Sequence, residues 1–127
     1  MNDLPKSFRH IRLELAREPG NPEGDAEHGY DILAPLDGDY RIDTDTQKAH
    51  AGACRVRRFI DGETDAVGLL RHGPGGRWYF DYDPDRDDDD ETGYRFGEER
   101  FVMGEYVSLA DAEGEMHTFR VTLVETL

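Results

Sequence analysis

The densest set of reactive side chains in this sequence is the run from Asp81 to Glu91, eight carboxylates interrupted by Tyr82, Pro84 and Arg86. Clustered carboxylates suit hard cations, which need only oxygen ligands. Counted as a calcium loop of the helix–loop–helix type from Asp81, the run supplies Asp83, Asp85, Asp87 and Asp89 at ligand offsets. It also puts Arg86 where the turn glycine belongs and Thr92 where the bidentate glutamate belongs, and no helical pattern flanks it. The expectation is a solvated, self-repelling loop over about residues 84–92 with no specific metal site. Its charge also blunts the preceding aromatic strand against edge-to-edge pairing.

Other candidate chemistry is sparse. His10, His28, His50, His72 and His117 show none of the close spacings of zinc sites. Cys54 is the only cysteine, which excludes an intramolecular disulfide and a multi-cysteine zinc site, and its apolar row makes it a small buried hydrophobe. His117, Ser108 and a nearby aspartate are the ingredients of a hydrolase set, but no nucleophile-elbow motif accompanies them. No catalytic residue, resident metal or cofactor is expected.

The elements that position the remaining charged groups are strands. "FRHIRLEL" alternates Ile11, Leu13 and Leu15 with His10, Arg12 and Glu14, the pattern of a half-buried strand. "EPGNPEGDAEHG" reads as a loop, "YDILAPL" as a short strand ending at Pro35, and residues 44–52 as one short helix with Thr44 and Gln47 as a capping box. Asp61-Gly62 between two alternating runs is a strong hairpin signal. A two-residue turn pairs Ile60 with Glu63, Arg58 with Asp65, Val56 with Val67 and Cys54 with Leu69. A following loop at Gly73–Gly76 pairs Arg71 with Trp78, Leu69 with Phe80 and Val67 with Tyr82. Asp111–Gly114 reads as a four-residue turn pairing Leu109 with Met116, Ser108 with His117 and Tyr106 with Phe119.

In that register one face of the meander collects Cys54, Val56, Ile60, Val67, Leu69, Trp78, Phe80 and Tyr82. The opposite face sets Arg55 and Arg57 across the small residues Gly68 and Ala66 from Asp81 and Asp83, with His72 and Tyr79 alongside. This is a shallow trench between opposite charges, readable as a solvated ion-pair ladder or as a groove for a zwitterionic or acidic ligand.

Gly76-Arg77-Trp78 together with Arg120 loosely resembles the lipocalin signature, in which a tryptophan near the chain start packs under a C-terminal arginine. Here the tryptophan lies past mid-chain, on about the fifth strand, and a tryptophan in a core row needs no such explanation.

The 127 residues fit a single domain, and thirteen aromatics supply burial that a disordered chain lacks. About eight short strands with Gly-rich turns indicate an all-β fold, an antiparallel barrel or two-sheet sandwich. The net charge of −14 repels phosphate backbones and anionic membranes. With no leader-like or spanning apolar segment, the expected location is the cytoplasm. The function this favours is a non-enzymatic binding module for a protein or small molecule, acting through the trench and the neighbouring acidic loop. The alternatives are a ligand-binding barrel lined by tyrosines and phenylalanines and, third, an enzyme.

Overall fold

A computed structural model describes residues 4–18, 22–73, 77–82, 91–93, 96, 98–111 and 113–127. The acidic stretch 83–90, and Asp83 and Gly76 with it, lie outside the described residues. The chain is all-β, with strands β1 (Phe8–Leu15), β2 (Asp25–Pro35), β3 (Arg55–Ile60), β4 (Glu63–His72), β5 (Trp78–Asp81), β6 (Glu91–Gly93), β7 (Tyr106–Ala110) and β8 (Met116–Thr126). Each strand pairs antiparallel with the next in sequence, and β1 pairs with β8, so the sheet curls back on itself. Its narrowest link is β6 to β7, the single pair Thr92–Ala110. Among the described residues no helix is long and apolar enough to cross a membrane.

Strict alternation in β1 sends Ile11, Leu13 and Leu15 inward. They meet Tyr30, Ile32 and Ala34 of β2 and Val107, Leu109, Phe119 and Val121 of the final hairpin. The enclosed space is filled by rings. Tyr30 packs on Phe80 and on Phe119 at 5.1 Å between centroids, Phe80 on Phe96 at 5.5 Å, and Phe96 on Phe101 at 5.0 Å. Trp78 is buried in the same core and stacks on His72 rather than under Arg120, which is exposed on β8. β2 begins at Asp25, within the stretch read as a loop. The helix covers Thr44–Ala49, its N-cap is Asp43 rather than Thr44, and a 3-10 turn follows at Ala51–Ala53. Gln47 makes no capping box; it is buried and donates to the Leu70 carbonyl at 3.1 Å.

The Asp61-Gly62 turn forms with φ of 55° and 78°, the left-handed pair a tight hairpin requires, and Ile60 pairs with Glu63 as the sequence indicates. The register then departs from expectation. Phe59 pairs with Thr64 and Arg58 with Ala66, so Asp65 is an extra residue, a β-bulge. Beyond it Val56 faces Gly68 instead of Val67, and Arg55 faces Leu69. The pairing with β5 is displaced in compensation: Leu70 faces Phe80, His72 faces Trp78 and Leu69 faces Asp81. Within this three-stranded meander β4 alone has turned over. Leu70 is buried, while Val67 is 56% and Ile60 38% exposed. The final hairpin is also shifted by one residue, pairing Leu109 with His117 and Val107 with Phe119, which leaves Tyr106 exposed.

Gly68 explains the turned frame. A Cβ at this inward position would run into the carbonyl oxygen of Asp81 and stand 2.8 Å from the Tyr82 Cα, so only glycine lets the end of β5 cross there. Gly68 is a packing requirement, not clearance in an outer trench. Gly68→Val should therefore cost about 1–3 kcal/mol, as overpacking does. Val67→Thr on the neighbouring exposed position should stay within about 0.5 kcal/mol. Urea unfolding of the two variants reads the difference; equal midpoints would contradict the turned frame.

Candidate functional site

The turned β4 changes the floor of the outer face and keeps its banks. Arg55, Arg57 and Phe59 point outward from β3, beside Asp31 and Leu33 of β2 and His10, Arg12 and Glu14 of β1. On the other side stand Val67 and Leu69 of β4, then Asp81 and Tyr79 of β5. Arg55 and Asp81 still lie level with one another, but across Leu69 instead of Gly68.

Asp31 is the centre of this face. Its carboxylate accepts from Arg57 Nη1 at 2.7 Å, lies 2.8 Å from His10 Nε2, and has Arg12 Nη1 at 3.5 Å. Arg12 also donates to Glu14 at 2.9 Å, and Arg57 Nε donates to the Thr64 hydroxyl at 2.6 Å. The two guanidinium carbons sit 4.2 and 5.4 Å from the centroid of the Phe59 ring. Phe59 is 1% exposed although it lies outside the main core, because these arginines cover it. The result is a small second core on the outside of the sheet. Each guanidinium is held by a carboxylate and a ring together, which fixes its position.

Beside this wall is an open depression of about 350 Å³ lined by His10, Asp31, Leu33, Arg55, Arg57, Val67 and Leu127. A larger depression of about 500 Å³ lies between the β1–β2 connection and β8, but Glu14, Arg17, Glu23, Asp25 and Arg120 give it mixed charge. Residues 19–21, in the same connection, are outside the described set.

Of the residues singled out by sequence, Arg55 and Arg57 therefore share one surface. Arg57 bonds to Asp31, and Asp81 pairs with Arg71 at 2.8 Å, so the expected ladder between Arg57 and the acids of β5 is replaced. His72 is not on this face: paired with Trp78, it points inward and stacks on that ring at 4.4 Å. Tyr79 is on the outer face opposite Arg71 and lines a small hollow with Gln47, Lys48 and His72. Asp31, His10 and Phe59 were missed by sequence. The available signal was an aspartate at an outward position of the apolar run "YDILAPL", which needs a cation from a neighbouring strand.

A second polar cluster sits at the end of the last hairpin. His117 Nδ1 is 3.1 Å from Glu18 and its Nε2 is 3.0 Å from Asp111, whose other oxygen accepts from the N–H groups of Glu113 and Glu115 at 2.9 Å each. Asp111, Glu115 and His117 lie within 4.8 Å of one another, close enough to suggest a cation site. Bonds from both ring nitrogens to carboxylates, however, describe an imidazolium clamped between acids, with no lone pair left for a metal. Burial works to lower the His117 pKa, but the hydrogen bonds and charges of Asp111 and Glu18 outweigh it and raise the value. Burial likewise works to raise that of Asp111, and His117 with the two backbone donors brings it down. Ser108 points outward from β7 while His117, paired with buried Leu109, points inward, so the two do not meet as nucleophile and base. Burial pushes the Cys54 thiol up to about 11, leaving it no nucleophilic thiolate at neutral pH.

No family model matches the sequence, and comparison with curated proteins and with solved structures finds no significant similarity.

The His117 clamp gives a signed pH dependence. The stabilising effect of raising its pKa is complete below 6.5 and fades as pH climbs through the higher folded value; that of Asp111 is complete above 3.8 and fades as pH falls through its lower one. His117→Gln should accordingly narrow its stability deficit against wild type as pH rises from 6 to 9. A deficit unchanged across that range in chemical denaturation would rule the clamp out.

Proposed function

We propose that this chain is a small cytoplasmic binding module that receives its partner on the outer face of β2, β3 and β4. The observation that carries this reading is the exposed apolar floor of Val67, flanked by Leu33 and partly exposed Leu69, beside a wall of fixed arginines. An outward position in a sheet that faces water ordinarily carries a polar residue. Here two outward positions of β4 are aliphatic, and they adjoin a concave surface rather than a flat one.

The charge of −14 supports a partner other than nucleic acid or an anionic membrane. The reading as a barrel with an aromatic-lined ligand lumen draws less support, because those tyrosine and phenylalanine rings pack against one another inside the sheet. The enzyme reading is weakened by the separation of Ser108 from His117 and by the buried Cys54 thiol.

A photo-crosslinking residue placed at Val67 should capture the partner in cell extract, whereas one at Tyr106, which is equally exposed on a different part of the sheet, should not. Val67→Asp should abolish competition for that capture while changing stability by no more than about 0.5 kcal/mol. Equal capture from both positions would dismiss this face as the working surface.

A further inference from the structure

Among the described residues, the charged side chains lining the depression beside β3 are matched except at Arg55. Asp31 is held by Arg57, His10 and Arg12, Glu14 by Arg12, Glu125 lies 3.6 Å from His10, and Asp81 is held by Arg71. Arg58, on the inward side of β3, is bonded to Asp65 at 2.7 Å. Among the described residues Arg55 has no carboxylate within ion-pair reach, although it is exposed and borders the depression. Asp81 stands level with it across Leu69, and Arg71 has already claimed that group. A guanidinium left over beside an aliphatic hollow is complementary to one carboxylate attached next to one apolar side chain.

On the reading of this face as the working surface, we propose that it binds the free C-terminal end of a peptide whose last residue is aliphatic. That side chain enters the hollow between Leu33, Val67 and Leu127, and the terminal carboxylate lies against Arg55. Two features favour a peptide end over other carboxylates. The hollow is open and, at about 350 Å³, sits at the small end of ligand pockets, so it takes one side chain of a longer chain rather than enclosing a whole molecule. The net charge of −14 opposes any polyanion, and the acids nearest Arg55 are already held by other cations.

Amide NMR titration tests this with the hexapeptide Gly-Gly-Ser-Gly-Gly-Leu as free acid and as C-terminal amide, with N-acetylleucine, and with an N-terminally tri-glutamate version. The free acid should shift the amides of Leu33, Arg55 and Val67 and bind about tenfold more tightly than the amide, the size of one charge-assisted hydrogen bond. The tri-glutamate version should bind more weakly than the plain peptide. Arg55→Gln should equalise acid and amide, and Val67→Asp should remove both. Equal binding of acid and amide to wild type would overturn the carboxylate assignment while leaving the face as the working surface. N-acetylleucine binding as tightly as the peptide would overturn the commitment to a peptide end. No shift with any probe, while crosslinking at Val67 still captures a partner, would overturn this inference alone; failure of both measurements would remove the proposed function as well.

Discussion

One unpaired residue decides what β4 shows to each side of the sheet. Because side chains alternate along a strand, the bulge at Asp65 exchanges the two faces for every position that follows. It sends Leu70 into the core, brings Gly68 under the end of β5, and leaves Val67 and Leu69 outside. The compensating displacement between β4 and β5 returns β5 to its own frame, so Trp78 and Phe80 still point inward. The bulge is anchored by the bond from Arg58 to Asp65, which survives the loss of direct pairing because a long guanidinium reaches the displaced carboxylate. The core and the candidate surface both follow from that placement.

The same strand marks how far the sequence could be read. In β1, three apolar residues at alternate positions leave a single frame, and the structure adopts it. In β4, Leu69 and Leu70 are neighbours, so both frames bring a leucine inward and the pattern favours the wrong one through Val67. What decides between them is the crossing of the Asp81 backbone over Gly68, a contact between strands that local periodicity does not encode. The register of the last hairpin differs for a related reason. Tyr106 and Val107 compete for one inward position. Although the Asp111–Gly114 turn forms, with Gly114 N–H donating to the Asp111 carbonyl, Asp111 N–H also donates to the Glu115 carbonyl and moves the pairing by one residue. The Asp61-Gly62 turn was legible because a tight turn depends on its own two residues.

The surface was legible in part for the same physical reason. Arg55 and Arg57 belong to a strand whose alternation is clear near them, and both lie where the pattern puts them. Their partners could not be found that way. Asp31 reaches Arg57 through the pairing of β2 with β3, and the connection between those strands runs from Leu36 to Cys54, too long for a turn to dictate register. The cover of Phe59 is a three-strand event, needing Arg12 from β1 and Arg57 from β3 at once. Signals confined to one hairpin carry no trace of it.

The network around Asp31 is best understood by what it adds beyond stability. Exposed ion pairs contribute about 0–1 kcal/mol each, too little to account for so many charged groups converging on one carboxylate. Position is the larger gain. With Asp31 17% exposed and bonded on two sides, and with two guanidinium groups laid on the Phe59 ring, the wall of the depression holds its shape. A fixed wall lowers the ordering cost that a ligand would otherwise meet on binding. It also consumes the acids that could neutralise Arg55, so the charge is retained in a molecule whose overall balance is strongly negative. Arg55 thereby stands as an un-neutralised cation beside the depression, and on the proposed reading of this face such a cation would discriminate between ligands by where their single charge lies, not by how much charge they carry.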